Sequence, residues 1–247
     1  MDKVAIITAA GYKGVGIPFG LPDCPEPLLP LGNGETILSR LCRQLEGYKI
    51  FITVGSPDST YEKVTRWNAK GGGFNYVDVG RPWNDERLEY VAQFGTTITM
   101  DKPDWKTQQD SICYAFDAIG FGYDKYVLSP GDHVYSDWLI GEILDADYPR
   151  QYSVREYLGN RIFVLNKETA RLYRGFAKYT RDRGMRAWFG NKWHIYGDIL
   201  LDGNKESTGR IMANACPLVL VSEDDFPTDV DTPKSYEKVI HWIKRFA

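Results

Sequence analysis

The chain has 247 residues, enough for one or two domains and for a core that hides about three quarters of the unfolded chain's surface. Hydrophobic residues make up 43% and charged residues 26%, which excludes a disordered, collagenous or coiled-coil chain. The 30 Lys+Arg against 33 Asp+Glu give a net charge of -3, so no broad cationic field exists to hold nucleic acid by its phosphates.

Cys24, Cys42, Cys113 and Cys216 lie far apart and form no Cys-x-x-Cys pair. That spacing points to reduced thiols in a cytoplasmic protein rather than a zinc site or a disulfide framework. No apolar run approaches the roughly 18 residues of a membrane span. Met1-Asp2-Lys3 opens onto an apolar run too short for a signal-peptide core. The expectation is a soluble, cytoplasmic protein with neither a membrane nor a nucleic acid as partner. Aromatic residues, at 14%, leave room for a homodimer.

Val4 to Thr8 is a continuous apolar run, the pattern of a strand buried on both faces. It breaks into a loop, Ala9 to Gly20, rich in glycine, and then a stretch with Pro22, Pro25, Pro27 and Pro30. A helix follows, with Ile37, Leu38, Leu41 and Leu45 on one face and Gly47 as its stop. Ile50 to Val54 is the next strand. This βαβ order favours a parallel sheet covered by helices.

Further on, Tyr61 to Trp67 is expected to be helical, Gly71 to Gly73 a turn and Phe74 to Val79 a strand. Residues 81–95 fit neither period. Thr96 to Met100 reads as a strand, Thr107 to Ile119 as a helix, and Tyr126 to Leu128 as a strand running into Ser129-Pro130-Gly131-Asp132. Trp138 to Leu144 is a helix, Arg161 to Leu165 a strand and Glu168 to Tyr179 a helix. Residues 180–215 are charged, aromatic and broken by glycines. Leu218 to Val221 is a strand, and Lys234 to Phe246 a closing helix with Tyr236, Val239, Ile240 and Ile243 on its apolar face. No internal repeat interrupts this order, and the simplest account is one α/β domain.

Three segments could carry chemistry. In the loop Ala9-Ala10-Gly11-Tyr12-Lys13-Gly14-Val15-Gly16, glycines let the backbone approach a ligand, and successive N–H groups make an anion-binding concavity. Lys13 adds a point charge for a phosphate. The loop matches neither a P-loop nor Gly-x-Gly-x-x-Gly, and an ordinary β-to-α turn would read the same way. Gly131-Asp132-His133 follows a strand, where open α/β sheets bind ligands. One carboxylate there can hold Mg2+, or can simply bond its own backbone in a turn. Asp229-Val230-Asp231-Thr232-Pro233 places two carboxylates on one side of an extended segment, and is equally a helix N-terminal signal.

Taken in order, these segments resemble the nucleotidylyltransferases that make nucleoside-diphosphate sugars or CDP-alcohols. Ile6-Ile7-Thr8-Ala9-Ala10-Gly11 is similar to the family's first strand and Ala-Ala-Gly loop. Pro25-Glu26-Pro27-Leu28-Leu29-Pro30-Leu31 is similar to its Pro-Lys-x-Leu-x-Pro segment, and Gly34-Glu35-Thr36-Ile37-Leu38 to its entry into the first helix. Gly131-Asp132 resembles its metal-binding Asp, and Asp229-Val230-Asp231-Thr232-Pro233 its closing Asp-x-Asp-Thr-Pro motif. The resemblance spans the chain, thinning between residues 145 and 215.

It implies a GT-A-like fold, a Rossmann-like three-layer α/β/α arrangement with a mainly parallel mixed sheet. Residues 1–140 would form the nucleotide-binding half and 141–247 the acceptor-binding half with the closing metal motif. It implies a Mg2+-dependent reaction of an NTP with a small phosphorylated acceptor, a sugar 1-phosphate or phosphoalcohol, releasing pyrophosphate. Asp132, Asp229 and Asp231 would hold the metal. Ala9, Ala10, Gly11, Tyr12, Lys13, Gly14, Gln109 and Gly131 would hold the nucleotide.

The chain departs from the family pattern at several positions. Val15 stands where the family has Arg, Glu26 where it has Lys, and Thr107-Gln108-Gln109 where Gly-Thr-Ala helps hold the base. Lys13 is the substitute cation. For the acceptor phosphate the candidates are Arg161, Arg186 and Lys192, with Lys192 favoured by its aromatic setting, Trp188 to His194. Two other readings keep the fold: a nucleotide- or sugar-phosphate-binding protein without catalysis, and a glycosyltransferase, against which the single Asp132 argues.

Overall fold

The computed structural model describes residues 2–10, 19–21, 24–59, 61–68, 73–80, 82–100, 108–147, 149–154, 162–182, 215–222, 230 and 232–246, with backbone only at 61–68, 73–80, 108–110, 153–154, 176–177, 179–182 and 246. In chain order its elements are β1 (Lys3–Thr8), α1 (Ile37–Gln44), β2 (Lys49–Gly55), β3 (Tyr61–Asn68), β4 (Gly73–Gly80), α2 (Asp85–Ala92), β5 (Thr96–Met100) and α3 (Gln108–Ile119). There follow β6 (Lys125–Pro130), α4 (Asp137–Asp145), β7 (Arg150–Val154), β8 (Ile162–Leu165), α5 (Lys167–Asp182), β9 (Leu218–Val221) and α6 (Pro233–Phe246).

Seven strands form one mixed sheet in the order β5-β2-β1-β6-β8-β7-β9. The half built from β5, β2, β1 and β6 is parallel. At β8 the direction reverses: β8 runs antiparallel to both β6 and β7, while β9 is parallel to β7. β1 and β6 are apolar and buried along most of their length because helices cover both faces of the sheet.

Alternation along the strands sorts their side chains between two cores. Ala5, Ile7, Ile52, Val54 and Val127 pack with Leu38 and Leu41 of α1 and Leu139, Ile140 and Ile143 of α4. Val4, Ile6, Phe51, Tyr126 and Leu128 pack with Ile112 and Phe116 of α3 and Ala170 and Tyr173 of α5. This is the expected three-layer α/β/α arrangement. A third, smaller cluster joins the proline-rich segment and α6: Leu29, Leu31, Ile37, Val134, Val230, Tyr236, Val239 and Ile243.

Three elements differ from the sequence expectation. Tyr61–Asn68, expected as a helix, is a strand paired antiparallel with β4 in a separate two-stranded sheet. The triple glycine between two runs rich in aromatic and β-branched residues is a hairpin signal, and pairing overrode the local helical pattern. The unassigned stretch 81–95 holds α2, capped by Asn84, whose side chain accepts from Arg87 N. β7 has no apolar alternation and is a strand because β8 and β9 flank it.

Candidate functional site

The carboxyl ends of β1, β2 and β6 meet at one edge of the sheet. Thr8 is in register with Thr53 on one side and with Pro130 on the other. Beyond them, Ala9 N donates to Thr53 O at 2.9 Å and Gly131 N donates to Thr8 O at 2.9 Å. The turn after β6 is thereby laced to the turn after β1. Ala9 and Ala10 are buried, so their small side chains serve close packing. Gly131 has the same role: a Cβ there would lie 3.1 Å from Ala9 Cβ, 3.1 Å from Thr8 O and 3.2 Å from Ile7 Cγ2.

Asp132 stands on this tight turn, its side chain 24% exposed and thus open to solvent at the strand end. Its Oδ1 accepts a hydrogen bond from His133 Nδ1 at 2.8 Å. His133 is buried and stacks on Tyr135, with ring centroids 6.0 Å apart and planes at 21°. The Tyr135 hydroxyl lies 3.2 Å from Ser129 Oγ, back on β6. A buried ring therefore orients the carboxylate.

The closing motif reaches the same place. Val230 N donates to the backbone O of Asp132 at 3.2 Å. Val230, wholly buried, sits between Asp229 and Asp231 in the sequence. α6 then starts under a reciprocal cap, with Ser235 N donating to Thr232 Oγ1 at 3.1 Å and Thr232 N to Ser235 Oγ at 3.0 Å. The helix-cap reading of this motif holds together with its place beside Asp132.

The structure thus brings together Ala9, Ala10, Gly131, Asp132 and Val230. Gln109 is placed by its backbone in the first turn of α3. Gly11, Tyr12, Lys13, Gly14, Val15, Arg161, Arg186, Lys192, Asp229 and Asp231 lie outside the described residues. Among the described residues no group of three or more His, Cys, Asp or Glu could by itself hold a metal ion. Glu26 is buried, 2% exposed, in a short 3-10 turn, Glu26–Leu28, whose Leu29 N donates to Glu26 O at 3.1 Å. Thr53 and Val230 were not singled out from sequence. Thr53 follows from the strand-end rule that found Asp132, whereas Val230 reads as a spacer between two acids.

Carboxylate oxygens are the donors that hard divalent cations take. Asp132 is solvent-reachable and oriented, and the backbone of the second carboxylate segment is bonded to its own. Asp132 thus offers, among the described residues, one carboxylate of the donor type that a divalent cation takes. No described helix is long and apolar enough to cross a membrane.

No family model matches the sequence. No curated protein matches it either. Solved structures do match along the whole chain. A Bacillus anthracis protein assigned as a glucose-1-phosphate thymidylyltransferase has a TM-score of 0.58 at 12% identity, covering 97% of this chain and 94% of its own. The 4-diphosphocytidyl-2C-methyl-D-erythritol synthase of Anaerococcus prevotii has a TM-score of 0.56 at 10% identity, covering 99% and 96%. Rv0371c of Mycobacterium tuberculosis has 0.55 at 14% identity, covering 98% and 100%. A manganese complex of that protein also matches, with a TM-score of 0.54. The chain has the fold these proteins share.

Proposed function

We propose that this chain is a nucleotidyltransferase. It joins an NTP to a small phosphorylated acceptor, a sugar 1-phosphate or phosphoalcohol, and releases pyrophosphate. The observation that supports the reading is the 3.2 Å hydrogen bond from Val230 N to the backbone O of Asp132, which ties the middle residue of the closing motif to the turn after β6. The shared fold of the two nucleotidyl-transferring proteins named above supports it.

In this reaction a phosphate oxygen of the acceptor attacks the α-phosphorus of the NTP, and the bond to pyrophosphate breaks. A phosphate monoester is already nucleophilic, so the protein's task is positioning and charge neutralisation. The turn after β1 receives the triphosphate, with backbone N–H groups of residues 10–14 and Lys13 as its donors and Gln109 toward the base. Lys192 meets the acceptor phosphate. Asp132, Asp229 and Asp231 hold Mg2+, which when bound offsets the negative charge that gathers between the two substrates. His133 holds Asp132 in one orientation through the Nδ1 bond. Residues 1–140 serve the nucleotide and 141–247 the acceptor. The setting we infer is the cytoplasm, and a homodimer suits the aromatic content.

The test is a pyrophosphate-release screen crossing CTP, UTP, GTP, ATP and dTTP with sugar 1-phosphates and phosphocholine, with Mg2+ and with EDTA. One productive pair is expected, silenced by EDTA, with Asp132→Asn slowing turnover at least about 100-fold. Tight NTP binding without release for any pair would favour the non-catalytic binding protein. Full activity in Asp132→Asn would remove Asp132 from the site.

A further inference from the structure

A valine between two acids just before a helix would ordinarily be a solvated spacer. Val230 is instead wholly buried, and the described residues around it come from four parts of the chain. Leu29 and Leu31 come from the proline-rich segment and Ile37 from the start of α1. Val134 stands two residues after Asp132, and Tyr236, Val239 and Ile243 belong to α6. Tyr236 ties this cluster to both neighbours: its hydroxyl donates to Pro30 O, and its ring meets Phe19 edge-on at 4.9 Å between centroids. Asp132 and the closing motif are therefore each followed or flanked by a valine that enters one apolar cluster.

We propose that Val230 is the positioning residue of the metal site. Its buried side chain and its N–H on Asp132 O fix the backbone between the two acids of the closing motif to the backbone of Asp132. Groups that hold ligands in place are often as consequential as the ligands themselves. The inference rests on the nucleotidyl-transfer reading, in which Asp132, Asp229 and Asp231 hold a divalent cation.

A control lies in the same cluster. Val239 is also a wholly buried valine, but it sits inside α6, outside the closing motif and its bond to Asp132. Val230→Ala and Val239→Ala remove the same two methyl groups from the same apolar setting. The experiment titrates Mn2+ alone into the full chain and reads free Mn2+ by its paramagnetic resonance signal, with thermal midpoints measured alongside. Both variants are expected to lose similar thermal stability. Val230→Ala is expected to weaken Mn2+ binding at least about tenfold, and Val239→Ala less than about twofold. Equal Mn2+ affinities in the two variants, weakened or not, overturn the proposal.

Asp132→Asn separates this from the broader reading. If it binds Mn2+ as tightly as the wild type, the metal assignment itself fails. If it loses Mn2+ while Val230→Ala does not, only the role of Val230 fails. Should Val230→Ala not fold, Val230→Thr keeps the volume and adds a hydroxyl to the apolar cluster. It is expected to shift Mn2+ affinity in the same direction, and wild-type affinity in Val230→Thr overturns the proposal.

Discussion

Gly131 shows how little room the site edge leaves at the level of a single residue. Its missing side chain would meet Ala9 Cβ and the Thr8 carbonyl, both at 3.1 Å, and neither is the free end of a flexible chain. Gly131→Ala must therefore push apart the turns after β1 and β6. The expected effect is a loss of about 1–3 kcal/mol, read as a lower urea midpoint with an unchanged slope. An unchanged midpoint would mean the two turns separate freely. Asp132 was legible in the sequence because a carboxylate after a parallel strand is a positional signal. Val230 was not: its burial depends on Leu29, Leu31 and Val134, residues distant in the chain. Nor did the sequence tell that Glu26, where the resemblance expects a cation, would be buried.

Among the elements, α1 shows local signals working as expected. Thr36 caps it in a reciprocal box with Ser39, and Leu38 and Leu41 face the core. Glu35, just before the cap, accepts from Arg43 Nε at 2.7 Å and from Asn33 Nδ2 at 2.9 Å. The Arg43 bond is the main reason its carboxyl stays below its ordinary value of 4.5. A depressed folded value means the contribution is complete above the unfolded value and is lost as pH falls through the folded one. The stability difference between wild type and Glu35→Gln should thus be constant near neutral pH and shrink once pH drops below 4.5. A difference independent of pH down to acid unfolding would exclude the Glu35–Arg43 link. The contrary case is Tyr61–Asn68. Its own residues allow a helix, and only pairing with Gly73–Gly80 makes it a strand.

Across the whole molecule, stability should be uneven. β1 lies inside the seven-stranded sheet, hydrogen-bonded on both sides and packed on both faces. β3 and β4 form a ribbon of their own outside that sheet, and two-stranded ribbons are marginal in water. Amide hydrogen exchange should therefore be slowest in β1 and β6 and much faster in β3 and β4. Equal protection in the ribbon would show that it is held by more than its own pairing.

The sequence by itself determined the α/β class, the strands β1, β2, β5 and β6, the helices α1, α3 and α6, and the place of Asp132. Each rests on a local signal: an apolar run, a helical period, a cap, or a residue type after a strand. The tertiary structure decided the reversal at β8, the strand character of Tyr61–Asn68 and of β7, and the hydrogen bond joining Val230 to Asp132. These depend on which segments meet. A strand without an apolar period exists only through its neighbours, and the Val230–Asp132 bond joins residues about a hundred positions apart, beyond the reach of any local pattern.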